Sequence, residues 1–157
     1  MSHRWGVART PRIAVTIVYL LVHAACSTVD GGAIELSWRL RPNSGAGTSQ
    51  PFIDCTSNLP QTGTVTGIRL DWQVGSDNAF DVFNCDAGQG VTRFVVPPGQ
   101  ALIAVSPVCE AGPADTSTYT APAPVQRSVT VGNTVSMGAV ELILQVSSCN
   151  LQPCICQ

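Results

Sequence analysis

Apolar and polar residues alternate along two stretches of this chain. In the first stretch, 33–40, every second residue is apolar: Ile34, Leu36, Trp38 and Leu40. In the second stretch, 64–74, the alternating apolar residues are Ile68, Leu70, Trp72 and Val74. A period of two is typical of a strand with one buried face. We therefore predict two amphipathic strands, with Trp38 and Trp72 as core anchors because large rings bury the most apolar area.

Five weaker apolar runs, bounded by residues that favour turns, predict five more strands at 79–85, 91–96, 101–105, 125–131 and 134–146. The last run changes parity at Gly138, and Gly67 interrupts the second strand, so we expect a β-bulge at each glycine. Residues 106–124 have no apolar period and predict a long loop. Seven short strands without a helix predict an all-β fold, an antiparallel seven-stranded Ig-like sandwich over residues 33–147.

The residues before the first strand have the layout of a secretory signal peptide. Three arginines precede an apolar run from Ile13 to Val22, and two small residues, Ala24 and Ala25, follow it. As a helix, residues 13–26 would rise about 21 Å, which is short of the hydrocarbon core of about 30 Å. We therefore predict an N-terminal signal helix over residues 1–25 rather than a membrane-spanning helix.

The end of this segment, Leu21 to Cys26 with the sequence LVHAAC, resembles a bacterial lipobox. The resemblance implies cleavage just before Cys26 and a lipid on its sulfur. Cysteine parity agrees, because the chain has seven cysteines and lipidation of Cys26 leaves six. Residues 26–32 would then be a tether, and the protein a lipoprotein of the cell envelope, at the outer membrane. Cleavage after Ala24 or Ala25 would instead give a secreted or periplasmic protein.

Composition excludes several kinds of chemistry for the chain after Cys26. The only histidines, His3 and His23, precede it, and the chain has no lysine. An imidazole base, a Schiff-base amine and a P-loop lysine are therefore missing. Ten acidic residues face five arginines in this part, which argues against nucleic acid as a partner. Paired acids such as Glu35 and Asp71 could in principle hydrolyse a glycoside, but both lie on predicted outward faces.

The six remaining cysteines are candidates for disulfides, which are the default after export: Cys55, Cys85, Cys109, Cys149, Cys154 and Cys156. Their spacing does not select one connectivity. Our preferred pairs are Cys55–Cys85 and Cys109–Cys149, which would leave Cys154 and Cys156 to close a strained ring. The alternative is a metal- or redox-active tail over residues 148–157, with thiolates of Cys149, Cys154 and Cys156 and a fourth ligand from Cys109.

Two segments and the order of the motifs carry a family resemblance. Residues 95–105, VVPPGQALIAV, resemble the strand–Pro-Gly–strand hairpin of carboxypeptidase-regulatory-like, transthyretin-like domains, and residues 129–146 resemble their closing strands. The order of motifs from Ile34 to Arg127 resembles uncharacterised predicted lipoproteins of Gram-negative bacteria. The resemblance implies a non-catalytic β-sandwich. We expect no enzyme activity, no cofactor and no bound metal, a membrane contact through the lipid, and a protein or glycan partner at the envelope.

Overall fold

A computed structural model describes residues 29–43, 52–55, 62–146 and 153–157. Within these residues the protein has nine β-strands, two single-turn 3₁₀ helices and no α-helix, so the predicted all-β class is confirmed. The strands are β1 (Ala33–Pro42), β2 (Val65–Val74), β3 (Asp77–Asn84), β4 (Gln89–Val91), β5 (Gly99–Cys109), β6 (Gly112–Pro113), β7 (Tyr119–Thr120), β8 (Val125–Val129) and β9 (Thr134–Leu144). The predicted signal peptide lies outside the described residues. In the described part no helix is long and apolar enough to cross a bilayer.

The first sheet has the strand order β4–β1–β9–β7. Strand β1 pairs antiparallel with β4 but parallel with β9, with Ile34 opposite Val135 and Trp38 opposite Val140. The expectation of a purely antiparallel sandwich is therefore wrong. A short hairpin forces neighbouring strands to run antiparallel, but β1 and β9 are joined through the whole domain and can pair in either direction.

The second sheet has the order β3–β2–β5–β6, and β8 also pairs with β5. Strands β2 and β3 form a hairpin through Gly75, whose φ of +59° is favourable for glycine. Strand β8 pairs with the segment Gly99 to Ile103, whereas β6 pairs with Val108 and Cys109. One edge of β5 is thus shared by two short strands.

Side chains from the inner faces of both sheets form one hydrophobic cluster. Trp38 and Trp72 are only 6% and 7% exposed, which confirms both as core residues. The ring of Trp38 stacks on that of Phe83 with 6.2 Å between their centroids, so the first sheet contacts an edge strand of the second. The largest fully buried aliphatic side chains of the strands are Ile34, Ile68, Leu70, Ile103, Leu142 and Leu144.

The bulge predicted at Gly138 is present. Strand β1 advances by two residues from Glu35 to Ser37, whereas the paired strand β9 advances by three, from Ser136 to Ala139. Gly138 has a φ of +73°, a left-handed conformation that glycine adopts without a steric penalty. The extra residue restores inward orientation for the second half of β9, which is why the apolar parity changes there.

The bulge predicted at Gly67 is also confirmed. Strand β2 advances by two residues from Val65 to Gly67, whereas the paired strand β5 advances by only one, from Cys109 to Val108. A Cβ atom on Gly67 would lie 2.8 Å from Cγ1 of Val82, so the missing side chain allows β3 to pack closely here.

Residues 91–96 do not form the predicted strand. Strand β4 ends at Val91, and the chain then turns tightly, with the N–H of Val95 donating to the carbonyl of Arg93 (2.8 Å). The pair Pro97–Pro98 follows and lacks the N–H groups that a strand ladder needs. Because β4 and β5 belong to different sheets, residues 95–105 do not form the expected hairpin.

The predicted loop 106–124 is partly structured. Strand β5 continues to Cys109, and the 3₁₀ helix Thr116–Thr118 lies between β6 and β7. The described residues have nine strands instead of the expected seven, because β6 and β7 were not predicted and the short β4 replaces the predicted strand 91–96. Strands of two residues are too short to show an alternating pattern, so the sequence does not reveal them.

The described part of the C-terminal tail, residues 153–157, packs against the sandwich. The side chain of Ile155 is fully buried in the core cluster. Its N–H donates to the carbonyl of Gln145 (2.9 Å), and its carbonyl accepts from the N–H of Gly63 (2.9 Å). The tail that the sequence predicts as a separate segment therefore contributes to the core.

Candidate functional site

The strand directions define two ends of the sandwich. Strand β1 begins where residues 29–32 join the sheet, and we name this the proximal end because it is nearest to Cys26. Strand β5 begins at the same end, since Gly32 bridges to Val96, which lies just before β5. The last residue of β5, Cys109, therefore marks the opposite, distal end.

A disulfide between Cys109 and Cys156 closes the distal end, with 5.2 Å between the Cα atoms. The predicted Cys109–Cys149 pair is therefore wrong, and a direct bond between Cys154 and Cys156 is excluded. The physical reason is the docking of Ile155, which places the following residue beside β5. Cys154 is also disulfide-bonded.

An open cavity of about 660 Å³ lies next to this disulfide, and its polar wall includes Glu110, Asp115 and Thr118. Asp115 accepts hydrogen bonds from the backbone N–H and the hydroxyl of Ser117 (2.8 and 2.7 Å). These bonds hold the pKa of the Asp115 carboxyl below its usual range. General acid catalysis needs a carboxyl with a raised pKa, so Asp115 suits ligand binding rather than proton donation.

The second disulfide joins Cys55 and Cys85, with 5.8 Å between the Cα atoms. This pair is the one the sequence favours, and it is confirmed. It ties residues 52–55 to the 3₁₀ helix Cys85–Ala87 that follows β3. The nearby backbone is further fixed because Nε1 of Trp38 donates to the carbonyl of Cys85 (2.9 Å).

An arginine-aromatic cluster lies on the outer face of β1 beside this disulfide. The guanidinium carbons of Arg39 and Arg41 lie 4.9 and 5.0 Å from the centre of the Phe52 ring. Arg41 also forms an ion pair with Glu141 (2.8 Å), with both side chains partly exposed. The cluster holds residues 52–55 against β1, and its exposed charges contribute about 1 kcal/mol or less.

A shallow polar groove of about 620 Å³ follows the outer face of the first sheet and is lined by Glu35, Ser37, Gln89 and Ser136. Glu35 projects from β1 into this groove, whereas Asp71 lies on the outer face of the second sheet and pairs with Arg69. The two carboxylates therefore face opposite sides of the molecule and cannot act together on one glycosidic bond.

The two described cysteines of the tail, Cys154 and Cys156, are both disulfide-bonded. Among the described residues no group of three or more His, Cys, Asp or Glu side chains could hold a metal ion. The five described cysteines are all in disulfides. The remaining candidates, Cys26 and Cys149, lie outside the described residues.

Four exposed apolar side chains at the proximal end were not predicted from the sequence: Val29, Phe94, Val95 and Val131. Phe94 and Val95 lie in the predicted strand 91–96, where one of two neighbours would be buried. Two signals mark these residues as loop positions: the consecutive prolines after Val96 and the Gly132-Asn133 turn after Val131.

No protein-family model matches this chain, and no curated protein matches it either. The lipoprotein and transthyretin-like resemblances thus stay predictions that rest on the residues themselves.

Proposed function

We propose that this protein is a lipid-anchored β-sandwich of the cell envelope with a structural or binding role and no catalytic activity, the lipid being carried by Cys26. The observation that carries the proposal is the path of residues 29–32, which enter β1 at the proximal end of the sandwich, where Gly32 bridges to Val96. Only two residues separate Cys26 from Val29, so a lipid on Cys26 would hold this end at the bilayer surface.

Disulfide pairing supports the same proposal. The chain has seven cysteines, an odd number, so pairing must leave at least one unpaired. The five described cysteines are all bonded. Thioether formation at Cys26 would account for the cysteine that remains, and disulfides agree with an extracytoplasmic location. An outer-membrane position, a transthyretin-like strand topology and a protein or glycan partner belong to this proposal.

The alternative, a metal- or redox-active tail, requires free thiolates at the distal end. Cys109 and Cys156 are bonded to each other, and Cys154 is bonded as well. A disulfide sulfur is a poor ligand for zinc, which binds the thiolate. A titration of free thiols in the native protein separates the two proposals, because the tail site predicts reactive thiols and the anchored sandwich predicts none.

The decisive experiment is the intact, non-reduced mass of the protein from the membrane fraction of a Gram-negative host. We expect the mass of residues 26–157 with acyl groups and with six thiol hydrogens missing. The C26A variant should carry no lipid and leave the membrane fraction after signal cleavage, whereas H23L, which restores a usual lipobox residue, should stay lipidated. A wild-type protein whose mass corresponds to residues 25–157 or 26–157 without acyl groups would refute the anchor.

A further inference from the structure

Four large apolar side chains at the proximal end are exposed to solvent. Val29 is 45% exposed, Phe94 41%, Val95 54% and Val131 49%. We call these four residues the proximal patch. Exposed single valines are common on protein surfaces, but these four side chains share one end of the sandwich.

Backbone hydrogen bonds bring the three segments of the proximal patch together. Gly32 and Val96 exchange two bonds, N–H to carbonyl, of 2.9 and 3.1 Å. On the other side the N–H of Gly132 donates to the carbonyl of Gly31 (3.0 Å). Residues 94–96 and 130–133 therefore flank the chain that arrives from Val29.

Glycine makes this close approach possible. A Cβ atom on Gly31 would lie 2.6 Å from the carbonyl oxygen of Val96, and one on Gly32 would lie 2.6 Å from that of Thr130. Neither position has room for a side chain. The two glycines thus place Val95 and Val131 directly beside the N-terminal segment.

We propose that the proximal patch inserts into the bilayer that holds Cys26, at the boundary between headgroups and acyl chains. This inference rests on the proposed lipid anchor. Cys26 is three residues before Val29, and three residues span at most about 11 Å when extended, so a lipid on Cys26 would keep the patch close to the bilayer. Apolar side chains held at this depth stabilise the bound state, because they leave water.

Charge argues for apolar insertion rather than electrostatic attraction. After Cys26, acidic residues outnumber arginines two to one. The segments that carry the patch contain one charge of each sign, Asp30 and Arg93. Attraction to anionic lipids needs a cluster of basic residues. Insertion of the patch should therefore occur in zwitterionic vesicles and resist salt.

Insertion would also orient the sandwich. Strands β1, β5 and β9 all run from the proximal to the distal end, so the Cys109–Cys156 disulfide would point away from the bilayer. The cavity beside it, with Glu110 and Asp115, would then face the aqueous space, where a partner can reach it.

The test uses the lipidated mature protein, residues 26–157, in phosphatidylcholine vesicles that contain brominated lipid, which quenches tryptophan at contact. In the F94W variant the indole replaces an exposed ring of the patch. The matched control is A111W, on the exposed turn between β5 and β6 at the distal end. Trp38 and Trp72 are common to both variants and supply the background. We expect strong quenching for F94W and none above background for A111W; equal quenching would overturn the proposal.

A second variant tests the energetic contribution of the patch. The V95S/V131S protein should transfer between vesicles roughly threefold faster or more, because two apolar side chains no longer leave water. The control V82S removes an equally exposed valine, 51% exposed on β3, and should not change the rate. Equal transfer rates for the wild-type protein, V95S/V131S and V82S would refute insertion.

The mass of each protein is measured first, so that the two proposals can fail separately. A lipidated F94W protein without quenching refutes the patch and leaves the anchor intact. A protein without acyl groups refutes the anchor; the patch inference then fails as well, unless quenching of F94W in vesicles shows that it binds the bilayer without a lipid.

Discussion

The two buried tryptophans form a matched pair for a stability experiment. Both rings lie in the core, and their exposed fractions are almost equal at 6% and 7%. Nε1 of Trp38 donates a 2.9 Å hydrogen bond to the carbonyl of Cys85. Nε1 of Trp72 is buried and has no acceptor among the residues that the structure describes. Replacing each tryptophan by phenylalanine removes the same atoms from two environments that differ in hydrogen bonding.

The expected magnitudes follow from this difference. Both substitutions leave a similar cavity, so the cavity cost largely cancels between them. The W38F variant also loses a hydrogen bond with a net value of about 0.5–1.5 kcal/mol, although the carbonyl of Cys85 keeps the N–H of Gly88 (3.2 Å). The W72F variant removes an unpaired buried donor, which relieves about 1–3 kcal/mol. W38F should therefore be less stable than W72F by roughly 1.5–4.5 kcal/mol.

The assay is urea unfolding of the oxidised proteins, followed by far-ultraviolet circular dichroism because the tryptophan signal itself changes. Equal slopes of free energy against urea show that both variants unfold from comparable native states. A W72F protein as unstable as W38F, or less stable, would refute the assignment of an unpaired indole.

Three further predictions concern a disulfide, a bulge and the hydrogen-bonded carboxylate of Asp115. Replacing Cys55 and Cys85 together by alanine should lower the free energy of unfolding by about 3–4 kcal/mol, because the bond closes a loop of 30 residues; urea unfolding of this variant and of the wild-type protein, both kept oxidised, measures the difference. The G138V variant should be less stable than G138N by about 1 kcal/mol, because asparagine tolerates the left-handed conformation better; thermal unfolding measures this, and equal stability would contradict it. Hydrogen bonds from Ser117 lower the pKa of the Asp115 carboxyl in the folded state. The ionised carboxylate should therefore stabilise the fold above the ordinary pKa of aspartate, and this stabilisation should vanish as the pH falls through the folded-state pKa. A D115A protein should lose this acid dependence in a pH series of unfolding curves.

The inward faces of the strands could be predicted from the sequence, because burial in a strand depends on a local alternation. Trp38 and Trp72 both lie in the core as their parity indicates. The bulge at Gly138 was equally visible, since one extra residue shifts the apolar parity of everything after it. Where alternation is absent or very short, as in β6 and β7, the sequence alone does not predict a strand.

The parallel pairing of β1 with β9 was decided by the tertiary structure. No hairpin links these strands, so nothing local specifies their direction. Residues 91–96 illustrate the same limit: their β-branched side chains favour a strand, but the chain leaves the first sheet there to reach the second. The proximal patch has a similar origin, because hydrogen bonds between distant segments gather its four residues.

The sequence by itself determined the strand faces, the signal-like start with Cys26, the excess of acidic residues and the missing base chemistry. The partner of Cys109 was settled only in three dimensions. Loop-closure entropy varies with the logarithm of loop length, and a doubling costs about 0.6 kcal/mol. The loops that Cys149, Cys154 and Cys156 would close differ by only a few residues, so spacing cannot distinguish them. The docking of Ile155 in the core selects Cys156, because free energy of packing is a property of the assembled fold.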